Sequence, residues 1–250
     1  NTGTTPPIEV TETFLPEEQT YSDINLKITN YGARIEKASD DSFYKNVSLQ
    51  TVAKLILNDT MLDTGFVPVY GSDYTALRRF VQGKNSEILF LEASPRDRFV
   101  KWMPSREEDE QDYEVPHPYL LMAIKLEHTS DNYKKVKDSR MFVMNTPLLN
   151  DETQLYKYPF GNVYVNDRGR ICWGGLDREV REKRYRNAMQ AGELFSLFLD
   201  SGYNNDLFDR DLAPGEIDNV HDFFQHLVGK EFPYENLVPT IKFNELLSLM

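Results

Sequence analysis

The sequence predicts an α+β fold, in which an antiparallel meander of strands leads through an irregular segment into helices. Two apolar runs of strand length, residues 119–126 and 140–144, are separated by a polar stretch and indicate the meander. Five glycine and proline residues within 158–175 are typical of a positioned loop rather than of a regular ladder. After Gly175 the apolar residues recur at helical spacing, which predicts helices in this part of the chain.

Two segments flank the predicted main domain. Residues 1–85 are expected to form an α+β N-terminal extension, and residues 1–20 are rich in Thr, Pro and Glu, which is typical of a flexible arm. Ser48 is a good helix N-cap, and the apolar residues between Leu49 and Ile56 share one face, which predicts a helix there. Residues 231–250 are expected to form a C-terminal tail with a short amphipathic helix.

Residues 86–230 are predicted to form the main domain. Near its start, the runs 88–91 and 98–102 flank a turn-forming sequence, which predicts a β-hairpin. Further along, apolar residues in 188–202 and 220–227 each lie on one helical face, which predicts two helices. The irregular segment therefore lies between the strands and the helices of this domain.

Composition excludes several classes of function. The net charge of −12 argues against sequence-independent binding to nucleic acid or to an anionic membrane, since both need a basic face. No apolar run approaches the roughly 18 residues that cross a bilayer, and the first residues lack signal-peptide features. One cysteine cannot form an internal disulfide, which favours the cytoplasm. The four histidines and the cysteine lack ligand spacing, so neither a metal nor a cofactor is expected.

Cys172, the only cysteine, ends an apolar–polar alternation in the irregular segment. The nearby guanidinium groups of Arg168 and Arg170 would favour its thiolate form, and Asn162 offers an amide that could donate to an oxyanion. However, a single cysteine is more often a small buried apolar residue, and an asparagine in a turn usually bonds its own backbone. The residues alone leave both interpretations open.

The motif from Asn162 to Cys172 resembles a known active-site segment. Ubiquitin-conjugating enzymes carry a His-Pro-Asn turn, an aromatic residue, a glycine-containing turn and then Ile-Cys, which Asn162–Tyr164 and Gly169–Cys172 match in part. More closely, Pro159–Val163 and Cys172–Gly174 resemble the bacterial family D of prokaryotic ubiquitin-conjugating-like proteins, which includes the PRTRC system protein B. The resemblance covers about residues 86–205 and implies the ubiquitin-conjugating (UBC-like) fold.

The resemblance implies roles for particular residues. Cys172 aligns with the thioester-forming cysteine and Asn162 with the asparagine of the His-Pro-Asn turn. Phe160-Gly161 replaces the His-Pro pair and the interval to the cysteine is longer than usual, so an oxyanion role for Asn162 stays open. By position only, Asp177 and Asp206 are candidates for a carboxylate that orients the acceptor amine. The other residues of the predicted active-site loop are Gly161, Tyr164, Gly169, Trp173 and Gly174.

The predicted function is that of a transferase. Cys172 would accept the C-terminus of a bacterial ubiquitin-like protein as a thioester and pass it to an amine. The expected partners are that ubiquitin-like protein, an adenylating (activating) enzyme and a JAB-type peptidase from the same operon, and antiphage defence is one possible setting. One alternative is an inactive UBC-like binding scaffold in the same system. Another is a cysteine hydrolase that uses one of the histidines. The histidines are His117, His128, His221 and His226.

Overall fold

The structure is a computed structural model of the chain. It describes residues 62–69, 74–104 and 109–250, and it describes the backbone of three strands between residues 24 and 47. The predicted flexible arm and the predicted helix at residues 49–56 lie outside the described residues. The chain divides into two compact units, of which the first ends at Met61 and the second begins at Leu62.

The first unit contains a small antiparallel sheet. Its strands are β1 (Ile24–Thr29), β2 (Gly32–Lys37) and β3 (Asp40–Val47). They pair in the order β1-β2-β3, so each strand pairs with the one that follows it in the sequence.

The second unit is built on a larger sheet. Its strands, in chain order, are β4 (Leu62–Asp63), β5 (Thr75–Gln82), β6 (Ser86–Ala93), β7 (Arg96–Trp102), β8 (Gln111–His117), β9 (Tyr119–His128), β10 (Lys134–Met144), β11 (Gln154–Tyr156), β12 (Val163–Tyr164), β13 (Arg170–Ile171) and β14 (Pro239–Lys242). In the described residues, nine strands form one sheet in the order β12-β13-β10-β9-β6-β5-β4, with β11 pairing with β10 and β14. β7 and β8 pair with each other as a separate ribbon.

The predicted meander is confirmed in part. β9 and β10 pair antiparallel along most of their length, as their apolar patterns predict. The predicted hairpin between residues 88–91 and 98–102 is wrong, because β6 pairs with β5 and β9, and β7 pairs with β8. β6 is buried at all but its first residue and therefore belongs inside the sheet, whereas β7 alternates between buried and exposed residues, as a ribbon with one solvated face does.

Four α-helices follow in the described residues. They are α1 (Asp177–Glu182), α2 (Glu193–Leu199), α3 (Val220–Leu227) and α4 (Phe243–Leu249). The last two confirm the helices predicted near the C-terminus, and the Asn219 side chain caps α3 by accepting from the Asp222 backbone. The helix predicted over 188–202 is shorter than expected, since 188–192 form a 3-10 turn and α2 ends at Leu199.

The core lies on both faces of the sheet. Alternate residues of β9 enter two different apolar clusters, because successive side chains of a strand point to opposite faces. α2 and α3 pack on one face, while α4 packs on the other through Phe243 and Leu246. The unit therefore starts before residue 86 and includes the C-terminal segment, since β5 pairs with β6 and β14 pairs with β11. The fold of this unit is α+β, with an antiparallel sheet and few helices.

Candidate functional site

The predicted active-site loop is a short β-hairpin on one edge of the sheet. β12 and β13 pair antiparallel, with Val163 opposite Ile171 and Tyr164 opposite Arg170. Beyond the last strand pair, the backbone N–H of Cys172 donates to the carbonyl oxygen of Asn162 at 2.8 Å. The hairpin therefore places the two motif residues directly opposite each other, although ten positions separate them in the sequence.

The tip of this hairpin is held against β10. Gly169 has φ +76°, and a Cβ at this position would lie 2.7 Å from the carbonyl oxygen of Met141, so the turn needs glycine. The N–H of Met141 donates to the carbonyl of Gly169 at 2.8 Å. The Arg140 guanidinium also donates to the carbonyl oxygens of Asp167 and Arg168, at 2.8 and 3.0 Å. These contacts fix the hairpin as one piece with the central sheet.

Cys172 is half-buried and free of any disulfide. The Tyr164 hydroxyl donates a hydrogen bond to its Sγ at 3.5 Å. This bond, together with the charge that Cys172 can carry, raises the pKa of Tyr164 above its ordinary value. The guanidinium of Arg170 lies 4.4 Å from the centre of the Tyr164 ring, and its Nε donates to the Asp167 carboxylate at 2.5 Å. The same bond from Arg170 lowers the pKa of Asp167.

Asn162 is bound to the loop after α2. Its backbone has φ 59°, a left-handed conformation that asparagine tolerates better than most residues, and it follows the buried Gly161. Its Nδ2 donates to the carbonyl oxygen of Gly202 at 2.9 Å and lies 3.5 Å from the Ser201 hydroxyl. The side-chain amide thus ties the hairpin to the helical layer, and donation to an oxyanion would require the bond to Gly202 to break.

The residues after the cysteine combine an anchor with open space. Trp173 is buried; its Nε1 donates to the Ser139 hydroxyl at 2.9 Å, and its ring meets that of Phe198 edge-on. Gly174 and Gly175 are exposed, and a Cβ on either would meet no atom within 4 Å. The chain is therefore fixed immediately after Cys172 and then leaves room for a large partner.

The two candidate carboxylates differ in their surroundings. Asp177 begins α1, and its carboxylate oxygens accept from Arg181 Nε at 2.9 and 2.8 Å. Its charge also contributes to the raised pKa of Tyr164, so it acts on the same site. Asp206 is exposed in the loop after α2, where it bonds Asn204 through both its backbone and its side chain. Asp177 therefore has a weak electrostatic effect on Tyr164, and no such link is present for Asp206.

An open groove runs beside Tyr164. It has a volume of ≈ 700 Å³, and its walls are Val163–Asp167 and Leu207–Asp211. The second wall carries Asp209, Arg210 and Asp211, which the sequence did not single out because no local pattern marks them. A second polypeptide segment would find space here, next to Tyr164, whose hydroxyl donates to the cysteine.

All four histidines belong to the described residues, and none hydrogen-bonds Cys172. His117 is fully buried, which lowers its pKa to about 3, and its Nδ1 contacts the Val115 carbonyl oxygen at 3.1 Å. His128 contacts Glu87 and His221 contacts Tyr113. His226 contacts Lys230. The cysteine hydrolase interpretation therefore lacks its base in this geometry.

Two features are absent from the part of the chain that the structure describes. No group of three or more His, Cys, Asp or Glu side chains there is arranged to hold a metal ion. No helix there is long and apolar enough to span a membrane.

Comparison with known proteins identifies the family. Neither the curated proteins nor the solved structures give a significant match. A model of a protein family, described as prokaryotic E2 family D, matches residues 68–240. This span is more than half of the chain, and it contains the Asn162–Cys172 hairpin and most of the sheet that supports it. The chain belongs to prokaryotic E2 family D.

Proposed function

We propose that the protein is a ubiquitin-conjugating-like transferase that carries a bacterial ubiquitin-like protein as a thioester on Cys172 and passes it to an amine. Family membership supports a ubiquitin-conjugating-like role in general. The α+β unit with its antiparallel sheet is compatible with the UBC-like fold. The observation that carries the proposal is the hairpin itself, which pairs Asn162 with Cys172 and holds a half-buried free thiol against Tyr164, a residue that lines an open groove.

The proposed reaction has two acyl transfers. In the first, Sγ of Cys172 attacks the carbonyl carbon of the thioester on the activating enzyme, and that enzyme's sulfur leaves as a thiolate while the proton of Cys172 passes to solvent. In the second, an amine attacks the new thioester, the carbon–sulfur bond to Cys172 breaks, and the product is an amide. A thiolate is a good leaving group, so positioning and stabilisation of charge contribute more than a strong base does.

The partners follow from the family in general terms. A prokaryotic E2-like protein implies a ubiquitin-like protein and an activating enzyme. The closer likeness to the PRTRC system protein B, a JAB-type peptidase in the same operon and a cytoplasmic location stay predictions. Asp177 is the better of the two proposed acceptor-side carboxylates, since its charge acts on Tyr164.

The direct test is to reconstitute the first transfer. The protein is incubated with the ubiquitin-like protein and the adenylating enzyme of its own operon, with Mg-ATP, and adducts are resolved with and without reductant. We expect an adduct that reductant removes from the wild type, a reductant-resistant oxyester or no adduct for Cys172→Ser, and none for Cys172→Ala. A wild-type protein that never forms the reductant-sensitive adduct would exclude the transferase.

One observation favours the second candidate, an inactive scaffold. Phe160 and Gly161 replace the His-Pro pair, and Phe160 is fully buried, with its ring stacked 5.6 Å from that of Phe223. This part of the motif therefore serves core packing, and the amide of Asn162 is bound to Gly202. Slow alkylation of Cys172 by iodoacetamide, together with partner binding that Cys172→Ala leaves unchanged, would support the scaffold.

A further inference from the structure

We propose that Tyr164 is a catalytic residue of this site, whose hydroxyl donates a hydrogen bond to the sulfur of Cys172 whenever that sulfur carries negative charge. The inference rests on the proposed role of Cys172 as nucleophile and leaving group. It assigns the stabilisation of charge on the sulfur to a phenol and leaves Asn162 as a structural residue.

The contacts of the sulfur support this assignment. Tyr164 provides the side-chain hydrogen bond that Sγ receives in the described residues, with a distance of 3.5 Å between Oη and Sγ. A hydrogen bond to an ionised acceptor is stronger than one to a neutral acceptor, so the contact strengthens as the thiolate forms. The amide of Asn162 is already bound to Gly202 at 2.9 Å and is not free to replace the phenol.

Arg170 positions the phenol. It lies directly opposite Tyr164 in the hairpin, and its guanidinium covers the ring at 4.4 Å. Asp167 holds this guanidinium by a bond of 2.5 Å from Nε. The cation over the ring restrains the ring in this position, and its positive charge makes the hydroxyl a better donor because it favours partial loss of the phenolic proton. Arg170 is thus a positioning residue that acts through Tyr164.

The second transfer shows how the bond would act. The amine nitrogen attacks the thioester carbonyl carbon and forms a carbon–nitrogen bond, and the proton of the resulting ammonium passes to water. The carbon–sulfur bond then breaks, and its electron pair goes to Sγ of Cys172. Tyr164 donates to that sulfur as the negative charge develops on it and keeps its own proton, and the same bond to the free cysteine raises the pKa of Tyr164.

A small acyl donor tests this without any protein partner. The chain has one cysteine, so p-nitrophenyl acetate acylates a single thiol to give S-acetyl Cys172 and p-nitrophenolate. The intact mass of the protein then follows transfer of the acetyl group to added ethylamine. We expect Tyr164→Phe to slow the transfer about tenfold, the size of one charge-assisted hydrogen bond.

The matched control is Tyr133→Phe. Tyr133 lies in the turn between β9 and β10, is also half-buried, and also carries an arginine over its ring, Arg184 at 6.0 Å. This variant removes the same hydroxyl from a similar setting, and we expect it to transfer acetyl at the wild-type rate. A wild-type rate for Tyr164→Phe as well would overturn the proposal.

An NMR measurement distinguishes a direct interaction of Tyr164 with Cys172 from a purely structural role of Tyr164. Tyrosine labelled with carbon-13 at Cζ reports ionisation by NMR, and the Tyr164 signal is assigned from the Tyr164→Phe variant. Because the bond to Cys172 is the main cause of the raised Tyr164 pKa, Cys172→Ala should lower that pKa toward the ordinary value. An unchanged titration in Cys172→Ala would also overturn the proposal.

The two proposals fail separately. If the acetyl and NMR results are as expected but no adduct forms with the ubiquitin-like protein, the Tyr164–Cys172 pair stands and the transferase is excluded. If the adduct forms but Tyr164→Phe has no effect, the transferase stands and the role of Tyr164 is excluded.

Discussion

Replacing Gly169 by alanine puts a methyl group where the hairpin tip meets β10. The new Cβ would lie 2.7 Å from the carbonyl oxygen of Met141 and 2.9 Å from two carbons of the Phe142 ring. A left-handed conformation costs an alanine about 1–2 kcal/mol, and crowding in a packed region adds about 1–3 kcal/mol. We therefore expect the free energy of unfolding to fall by about 2–5 kcal/mol, a large part of a typical domain's stability.

Gly174→Ala is the matched control for this variant. Its φ is also positive, at +52°, but no atom lies within 4 Å of the added Cβ. Only the backbone cost of about 1–2 kcal/mol remains. Urea unfolding followed by circular dichroism measures both variants, with the slope checked for constancy. Equal losses in the two variants would refute the view that contact with β10, rather than backbone strain alone, requires glycine at position 169.

Three further predictions concern stability and the site. Because burial lowers the pKa of His117 to about 3, its neutral form stabilises the fold fully above an unfolded pKa of about 6.5, and this contribution is lost as the pH falls toward 3. His117→Leu should therefore make the free energy of unfolding depend less on pH between about 3 and about 6.5. If this free energy changes with pH equally steeply in the variant and the wild type, the prediction is wrong. Trp173→Phe removes the donor of a buried bond to Ser139 and should destabilise by about 1–3 kcal/mol in urea unfolding, so an unchanged midpoint would argue against that bond. Asn162→Gly keeps the left-handed backbone and loses the bond to Gly202, so it should slow the acetyl transfer less than tenfold; a loss of 10²–10³ would instead indicate an oxyanion donor.

Patterns local in the sequence predicted much of the fold. The apolar runs of β9 and β10 predicted their pairing, and the spacing of apolar residues predicted α3 and α4. These predictions succeed because side-chain period and capping are properties of a few neighbouring residues. The hairpin wrongly predicted between residues 88–91 and 98–102 shows what local patterns cannot predict. The apolar character of β6 indicates burial, but it does not say which strands occupy its two edges.

The candidate site likewise has features that the sequence predicted and features that only the fold decided. The glycine and proline residues of 158–175 indicated a turn-rich loop, because turns demand particular residues at particular positions, and the resemblance of its motif to ubiquitin-conjugating enzymes marked Cys172. Only the tertiary structure decided that the amide of Asn162 binds Gly202, that residues 207–211 form the far wall of the groove, and that Tyr164 reaches the sulfur. Contacts between segments distant in the chain depend on packing of the whole unit. The sequence alone therefore determined which residue is the candidate nucleophile, and the fold determined which groups surround it.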